Sequence, residues 1–248
     1  MDSGSYGACL STEYDQAFTE IPRRVLRWFP WIGKSFGSPE GGGTRLLLVG
    51  ESHYGIATDT ETVAQVCCRH DNNIHFTREI LWEQLISGSP GTCEIATFAR
   101  IASLFFGDAE HDHVKFWGQI AFMNLVQRTL SQGNRPAWDS DYVNGWEAVH
   151  RVLSILEPDH CVVLGTESHH RFWSAMHRRG VAFDNVMKTD RVGWYWGYRA
   201  SIMLNGSAVP IEFVKHPGRS FSTDAWHSHL SRRLPKLFAD LHRSCVVA

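Results

Sequence analysis

Four short apolar runs, separated by longer stretches with a helical pattern, dominate this sequence. They are RLLLVG (45–50), QIAFMNL (119–125), HCVVLGT (160–166) and IEFVKH (211–216). Each run is too short for a typical helix, and consecutive apolar residues are typical of a strand buried on both faces of a parallel sheet. Helical patterns lie between and after the runs, at 77–87, 95–106, 140–156, 167–179 and 223–242. This alternation predicts an α/β sandwich with a mostly parallel sheet.

The first 44 residues differ in composition from the rest of the chain. Apolar residues in 12–29 recur near a 3.6-residue period, which predicts a helix that Pro22 can start late. The Gly/Ser/Pro-rich stretch 33–43 predicts a linker. We therefore expect residues 1–44 to form a helical appendage and residues 45–248 to form the functional domain.

Two stretches in the last quarter of the chain indicate antiparallel strands. Asn205-Gly206 lies between two β-like runs, so it predicts one antiparallel edge hairpin. The aromatic stretch GWYWGYR (193–199), whose rings lie at 194–198, favours an edge strand that covers the core. A stacking platform for nucleic-acid bases is the alternative.

Composition and charge narrow the class of protein. Hydrophobic residues make up 43% and charged residues 20%, which excludes a disordered chain. Nine basic and fifteen acidic residues lie up to Asn124, against fifteen and eleven after it, so a polyanion-binding surface would lie in the second half. The sequence has no 18-residue apolar stretch, no apolar signal-peptide core and no regular cysteine spacing. We expect a soluble, cytoplasmic monomer with no membrane partner.

Polar side chains follow the predicted strands at the points where they end. GESHYG (50–55) follows the first strand, Asn124 ends the second, GTESHH (165–170) follows the third, and KHPGRSFS (215–222) follows the fourth. The carboxyl ends of parallel strands meet at one edge of a sheet, where open α/β sheets bind their ligands. We therefore expect these side chains to converge on one cleft.

Three of these residues suit chemistry on a base or sugar. Glu51 can hold a water or offset a developing cation, and otherwise it caps the next helix or pairs with an arginine. His216, presented at a loop by Pro217, can donate to a leaving-group oxygen, and a structural histidine is the alternative. The Asn124 carboxamide suits the hydrogen-bonding edge of a nucleobase or, equally, the backbone at the strand end.

The loop GRSFS (218–222) has small residues, one cation and one ring. It can approach phosphates through backbone N–H groups while Arg219 or Phe221 enters a base stack, or it can cap the next helix through Ser222 or Thr223. Two histidine-containing clusters lack the ligand spacing of zinc sites, so we expect no metal. They comprise Cys67, Cys68, His70 and His75, and His111, Asp112 and His113.

In chain order, GESHYG, FMNL, VVLG and KHPGRSFS resemble the motifs of the uracil-DNA glycosylase superfamily over roughly residues 45–240. The resemblance implies a three-layer α/β/α fold that binds DNA across the strand ends and flips one nucleotide into the pocket. It also implies hydrolysis of the N-glycosidic bond through an oxocarbenium-like transition state. The iron–sulfur branch uses four cysteines whose pattern is not found here, so we expect no cluster and no other cofactor.

By position, the resemblance implies that Glu51 and His216 are the catalytic pair. Glu51 would orient water or favour the sugar cation, and His216 would stabilise the departing base. The implied substrate contacts are Ser52, His53, Asn124 and an aromatic ring, either Tyr54 or Phe76. The implied DNA contacts are Lys215, Arg219, Ser220 and Phe221.

The sequence departs from the family pattern in its first motif. Ser52 stands where many members carry the catalytic Asp or Asn, His53 replaces the usual Pro, and insertions occur at 56–75 and 185–200. These departures favour a modified pyrimidine, such as hypermodified cytosine, over plain uracil. Since some bacterial members attack modified phage bases, antiviral defence is one expected setting. Three alternatives stay open: a catalytically silent nucleic-acid-binding module, a uracil-excising repair glycosylase and a hydrolase of free nucleosides.

Overall fold

The computed structural model describes residues 9–39, 43–55, 61–83, 93–131, 138–218 and 221–247. The strands in these ranges are β1 (Trp31–Ile32), β2 (Leu46–Gly50), β3 (His53–Gly55), β4 (Ile120–Asn124), β5 (Thr129–Ser131), β6 (His160–Leu164), β7 (Phe183–Val192), β8 (Tyr195–Leu204) and β9 (Ser207–Val214). The helices are α1 (Asp15–Thr19), α2 (Val63–Cys68), α3 (Phe76–Leu81), α4 (Cys93–Phe106), α5 (His113–Gln119), α6 (Val143–Leu156), α7 (His169–Arg178), α8 (Thr223–Arg233) and α9 (Pro235–Cys245). A π-helical turn, Trp138–Tyr142, leads into α6. Within the described ranges, no helix is long and apolar enough to cross a membrane.

A seven-stranded sheet in the order β1-β4-β2-β6-β9-β8-β7 forms the centre of the molecule. The four apolar runs of the sequence are its central strands β4, β2, β6 and β9, which pair in parallel. The α/β fold is therefore confirmed. β1 pairs antiparallel with β4 at one side, and β9, β8 and β7 form an antiparallel meander at the other. A small parallel sheet of β3 and β5 lies apart.

Alternate residues of the central strands pack on opposite sides of the sheet. Leu47 and Val49 share a core with Trp146 of α6 and with residues of α1 and α7. Leu46 and Leu48 share the other core with residues of α4, α5, α8 and α9. Burying apolar side chains on both faces is what makes the strand sequences continuously apolar. The sheet is thus the middle of three layers.

The N-terminal segment is built into this core. Phe18, Leu26 and Phe29 are buried in it, and β1 extends the sheet, where the composition predicted a separate appendage. The predicted 12–29 helix is wrong in extent, because α1 ends at Thr19. Pro22 lacks the N–H that would continue the helix, and a turn follows in which Val25 N–H donates to its carbonyl.

The C-terminal helix predicted over 223–242 is two helices. α8 ends at Arg233 and α9 begins at Pro235, with Leu234 between them at φ −124° and ψ 51°. Proline forces the residue before it out of the helical region and has no N–H for the preceding turn. Pro235 therefore accounts for the break between α8 and α9.

The predicted hairpin turn is present, with Asn205 and Gly206 at φ 50° and 83° between β8 and β9. The antiparallel part is larger than predicted, because β7 and β8 form a second and longer hairpin. The aromatic residues near its tip do not cover the core as we expected from the sequence. Trp194 is 87% exposed and Trp196 is 40% exposed. A turn at the outer end of the sheet leaves these rings facing solvent.

Candidate functional site

A pocket opens at the carboxyl ends of the central strands. Its polar lining includes Glu51, Ser52, Asn124 and His216, which the sequence predicted would converge. Residues 165–167, after β6, line an adjoining groove that also contains Glu51 and His216. The segments that follow β2, β4, β6 and β9 therefore meet at one edge of the sheet, as parallel strands require.

Glu51 is the first residue after β2, and two phenol hydroxyls hold its carboxylate. Tyr142 Oη donates to Oε1 at 2.8 Å, and Tyr54 Oη donates to Oε2 at 3.3 Å. Burial and the negative charge of Glu51 raise the pKa of Tyr142, so its hydroxyl stays protonated and remains a donor. These two hydrogen bonds fix the orientation of the Glu51 carboxylate. A group that positions a water or faces a cation needs such a fixed orientation.

Tyr142 is a residue that sequence reasoning missed. It lies 91 residues from Glu51 and ends the π-helical turn before α6. The helical pattern over 140–156 predicted a helix there, but no motif links its first turn to the strand end at 51. Only the packing of α6 against the sheet brings the two together.

His216 lies in a tight loop after β9. The N–H of Gly218 donates to the His216 carbonyl at 2.8 Å. Arg100 of α4 donates to the carbonyls of Pro217 and Gly218 at 3.2 and 3.3 Å. Burial lowers the pKa of His216, although the charge of Glu51 acts in the opposite direction. The imidazole is therefore neutral at pH 7, with one N–H to donate and one nitrogen to accept.

Asn124 ends β4 beside Gly50, the last residue of β2. The two are so close that a Cβ on Gly50 would lie 2.2 Å from Asn124 Oδ1. Asn124 is buried at the pocket, and its carboxamide makes no hydrogen bond with the described residues. Its backbone carbonyl accepts from Gln127 Nε2 at 2.6 Å. The carboxamide is thus a polar group that is available inside the pocket.

Ser52 and His53 have different surroundings. Ser52 Oγ is buried and has no hydrogen-bond partner among the described residues. His53 Nε2 lies 3.0 Å from Thr77 Oγ1, and its ring packs against Trp28 and Phe76. Burial lowers the pKa of His53 to about 3, so it is a neutral wall residue packed into the protein. Ser52 is the group of this pair that is left for a ligand.

The aromatic lining of the pocket contains one of the two rings that we predicted, together with two that we did not predict. Tyr54 lines the pocket, but Phe76 stacks on His70 with ring centroids 3.8 Å apart and lies outside the lining. Phe98 and Phe122 form the apolar wall instead, in edge contact with centroids 5.9 Å apart. The sequence predicted the helix and strand that hold them. It did not indicate which helical face would point into the pocket.

The predicted DNA-contacting residues are only partly described. Arg219 and Ser220 lie outside the described residues. Lys215 Nζ lies over the Tyr195 ring, 3.8 Å from its centroid, in the groove beside the pocket. Phe221 packs parallel to Trp226 against the core, with centroids 6.4 Å apart. Lys215 thus lies at the mouth of the site, whereas the Phe221 ring is packed inward.

The cysteine and histidine clusters weighed as metal ligands do not assemble in the described part of the chain. No three His, Cys, Asp or Glu side chains within those ranges meet closely enough to hold a metal ion. His70 and His111 are instead stacked on Phe76 and Phe106.

Comparison with known proteins does not show to which family this chain belongs. No family model and no curated protein matches the sequence. Among solved structures, the chain is similar to a domain of unknown function (DUF1537) from Bordetella bronchiseptica, crystallised with citrate as a domain-swapped dimer. The identity is 12% and the TM-score 0.33, over 81% of this chain. The chain spans only 42% of that neighbour. A likeness of this size carries no argument about function.

Proposed function

We propose that the protein is a DNA glycosylase that binds a flipped base in the pocket and hydrolyses its N-glycosidic bond. The observation that carries the proposal is the joint placement of Glu51 and His216 at one pocket, with the Asn124 carboxamide in the same lining. A carboxylate, a hydrogen-bond donor and a base-reading amide are the groups that this reaction needs. The short motifs shared with uracil-DNA glycosylases support the same reaction.

The proposed chemistry assigns one task to each group. The bond between C1′ of the sugar and the base nitrogen breaks, and its electron pair leaves with the base. The His216 N–H donates to an oxygen of the departing base, where negative charge develops. The Glu51 carboxylate, held by Tyr142 and Tyr54, faces the cationic sugar and orients the water that attacks C1′. The oxygen of the water bonds to C1′, Glu51 accepts the proton that this water loses, and the base anion takes up a proton, so the products are a neutral free base and an abasic site.

A modified pyrimidine is the proposed substrate class. The buried Ser52 hydroxyl offers a hydrogen bond that no described residue of the protein uses. A pocket built to bond a substituent rejects the analogue that lacks it, because its polar group is then left unpaired. We therefore expect hydroxymethylated or glycosylated cytosine to be excised faster than plain uracil.

The test is base excision under single-turnover conditions. Oligonucleotides containing uracil, and phage DNA containing modified cytosine, are incubated with protein, and abasic sites are detected as alkali-labile breaks. We expect excision from the modified DNA, and we expect Glu51→Gln and His216→Ala to slow it by roughly 10²–10⁴-fold. DNA affinity should change little in these variants.

Glu110→Gln is the matched control, because Glu110 is an exposed carboxylate that lies outside both the pocket and the adjoining groove. It should excise at close to the wild-type rate. Fast release of uracil with no reaction on modified DNA would overturn the substrate class. DNA binding without an abasic site on any substrate would favour the catalytically silent binding module.

A further inference from the structure

We propose that the β7–β8 hairpin is a second nucleic-acid-binding surface, which stacks unpaired bases of the strand that contains the target nucleotide. This inference rests on the proposed function and extends it to the substrate's flanking bases. We define the hairpin surface as Lys188, Arg191, Trp194, Tyr195 and Trp196, together with Lys215 of the following strand end.

Topology brings the hairpin surface to the same edge of the sheet as the pocket. β8 is antiparallel to β9, and Tyr198 pairs with Phe213 in their register. Tyr195, three residues earlier, is therefore level with His216, three residues later. Tyr195 and Lys215 line the groove that also contains Glu51 and His216. Trp194 lies in the turn before Tyr195, and Tyr195 and Trp196 leave opposite faces of β8, so the hairpin surface wraps around the tip of the hairpin.

Each ring of this surface has a cation against it. Lys215 Nζ lies 3.8 Å from the Tyr195 centroid, Lys188 Nζ lies 5.3 Å from that of Trp196, and the Arg191 guanidinium lies 5.9 Å from that of Trp194. Rings that bases stack on, beside cations that neutralise phosphates, are the combination that single-stranded nucleic acids bind. The chemistry therefore points to a polyanion with aromatic faces.

The nearby carboxylate of Asp190 does not cancel these charges. Its Oδ2 lies 3.3 Å from His229 Nδ1 and 3.9 Å from Arg232 Nη2, on the side of the sheet covered by α8. Lys188 and Arg191 approach the tryptophan rings instead. The ring at the tip of the hairpin is also not part of the hydrophobic core, since Trp194 is 87% exposed. Burying such a ring against a base removes apolar surface from water.

The experiment measures binding separately from excision. Fluorescence anisotropy gives the Kd for a fluorescein-labelled single strand of deoxythymidine, with wild type, Trp194→Ala, Trp196→Ala and Trp173→Ala. Trp173 is the matched control, because it is 52% exposed but lies on α7. We expect the two hairpin variants to weaken binding at least about fivefold each, the lower end for one lost base stack, and the control to bind like wild type.

A salt titration tests the cations of the hairpin surface. Lys188→Ala and Arg191→Ala should each reduce the slope of log K against log salt by about 0.7 for a lost phosphate contact on a single strand. Hairpin variants that bind like Trp173→Ala would overturn the inference. Binding of the wild type to phosphatidylserine vesicles, with no binding to the oligonucleotide, would overturn it as well.

The two proposals fail in different ways. If the protein excises a base and Trp194→Ala binds like wild type, the glycosylase stands and the hairpin inference falls. If Trp194→Ala loses single-strand affinity and no substrate yields an abasic site, the hairpin inference stands and the glycosylase falls.

Discussion

A buried hydroxyl with no hydrogen-bond partner costs free energy, and Ser52 Oγ has none among the described residues. Ser52→Ala should therefore leave the free energy of unfolding unchanged or raise it by about 1 kcal/mol, since no described residue loses a hydrogen bond. Excision of the preferred base should slow, because the ligand loses a partner. Urea denaturation and single-turnover rates measure the two effects.

Ser168→Ala is the control for this change. Ser168 is also buried, but its Oγ donates to the Gly165 carbonyl at 3.0 Å. Removing it should lower the free energy of unfolding by about 1 kcal/mol. Equal destabilisation by both changes would mean that Ser52 is bonded within the protein, and the argument for a ligand contact would fail.

His53 makes the stability of the fold sensitive to acid. Burial lowers its pKa from the usual 6.5 to about 3, so below pH 6.5 the unfolded chain binds a proton that the folded protein does not. The contribution of neutral His53 to the free energy of unfolding is complete above pH 6.5 and is lost as the pH falls toward 3. Between pH 7 and pH 5 this amounts to about 2 kcal/mol. Denaturation of His53→Asn at both pH values should show a smaller loss by that amount.

The control for the pH experiment is His177→Asn, at an exposed position on α7. It should lose the same free energy between pH 7 and pH 5 as wild type. Other histidines whose pKa is lowered by burial, among them His70 and His160, keep part of the acid sensitivity in every variant. Identical losses in wild type and His53→Asn would contradict the assignment.

At the level of strands and helices, the contact between β2 and β4 sets the geometry of the pocket. A Cβ at Gly50 would overlap Asn124 Oδ1 and come within 3.0 Å of the Phe122 ring. Gly50→Ala should therefore displace the carboxamide, cost about 1–3 kcal/mol of stability and slow excision. Gly118→Ala is the control, because a Cβ there meets nothing within 4 Å. A fully stable and active Gly50→Ala would show that Asn124 has room to move without consequence.

The central strands were predictable and the helix boundaries only in part. Continuous apolar runs are typical of buried parallel strands, so β2, β4, β6 and β9 could be found from the pattern of apolar residues along the sequence. From periodicity alone, we predicted one helix where the structure has α8 and α9, and a first helix that continues past Thr19. Pro235 and Pro22 prevent these continuations. Helices shorter than eight residues, such as α2 and α5, have too few turns to give a periodic signal.

At the scale of the whole molecule, the sequence showed that basic residues are concentrated in the second half of the chain. It did not show which of them pair with carboxylates inside the fold. The basic residues of the second half include two contrasting groups. Arg233 is bonded to buried Glu212 at 2.8 and 2.9 Å, and Arg128 to Asp141, so these cations neutralise carboxylates inside the fold. Lys188, Arg191 and Lys215 instead lie over exposed or partly exposed rings. Only tertiary contacts separate structural cations from those that a ligand can reach.

The same limit applies to the candidate site. Strand ends predicted that Glu51, Asn124 and His216 would meet, because topology alone decides which residues share an edge. The partners Tyr142 and Phe98 come from helices packed beside that edge. Their approach depends on side-chain shape, which one sequence does not reveal.

The antiparallel return of β8 places the hairpin surface on one side of the pocket, so a nucleic-acid strand bound as proposed would lie in a defined direction. The hairpin surface lies on one flank of the pocket, beyond β9, while β4 and β1 lie on the other. A bound strand runs 5′ to 3′ in one direction only, so its bases should stack on the hairpin either upstream or downstream of the target, never equally on both. Excision should therefore tolerate a target close to one end of an oligonucleotide and fail close to the other.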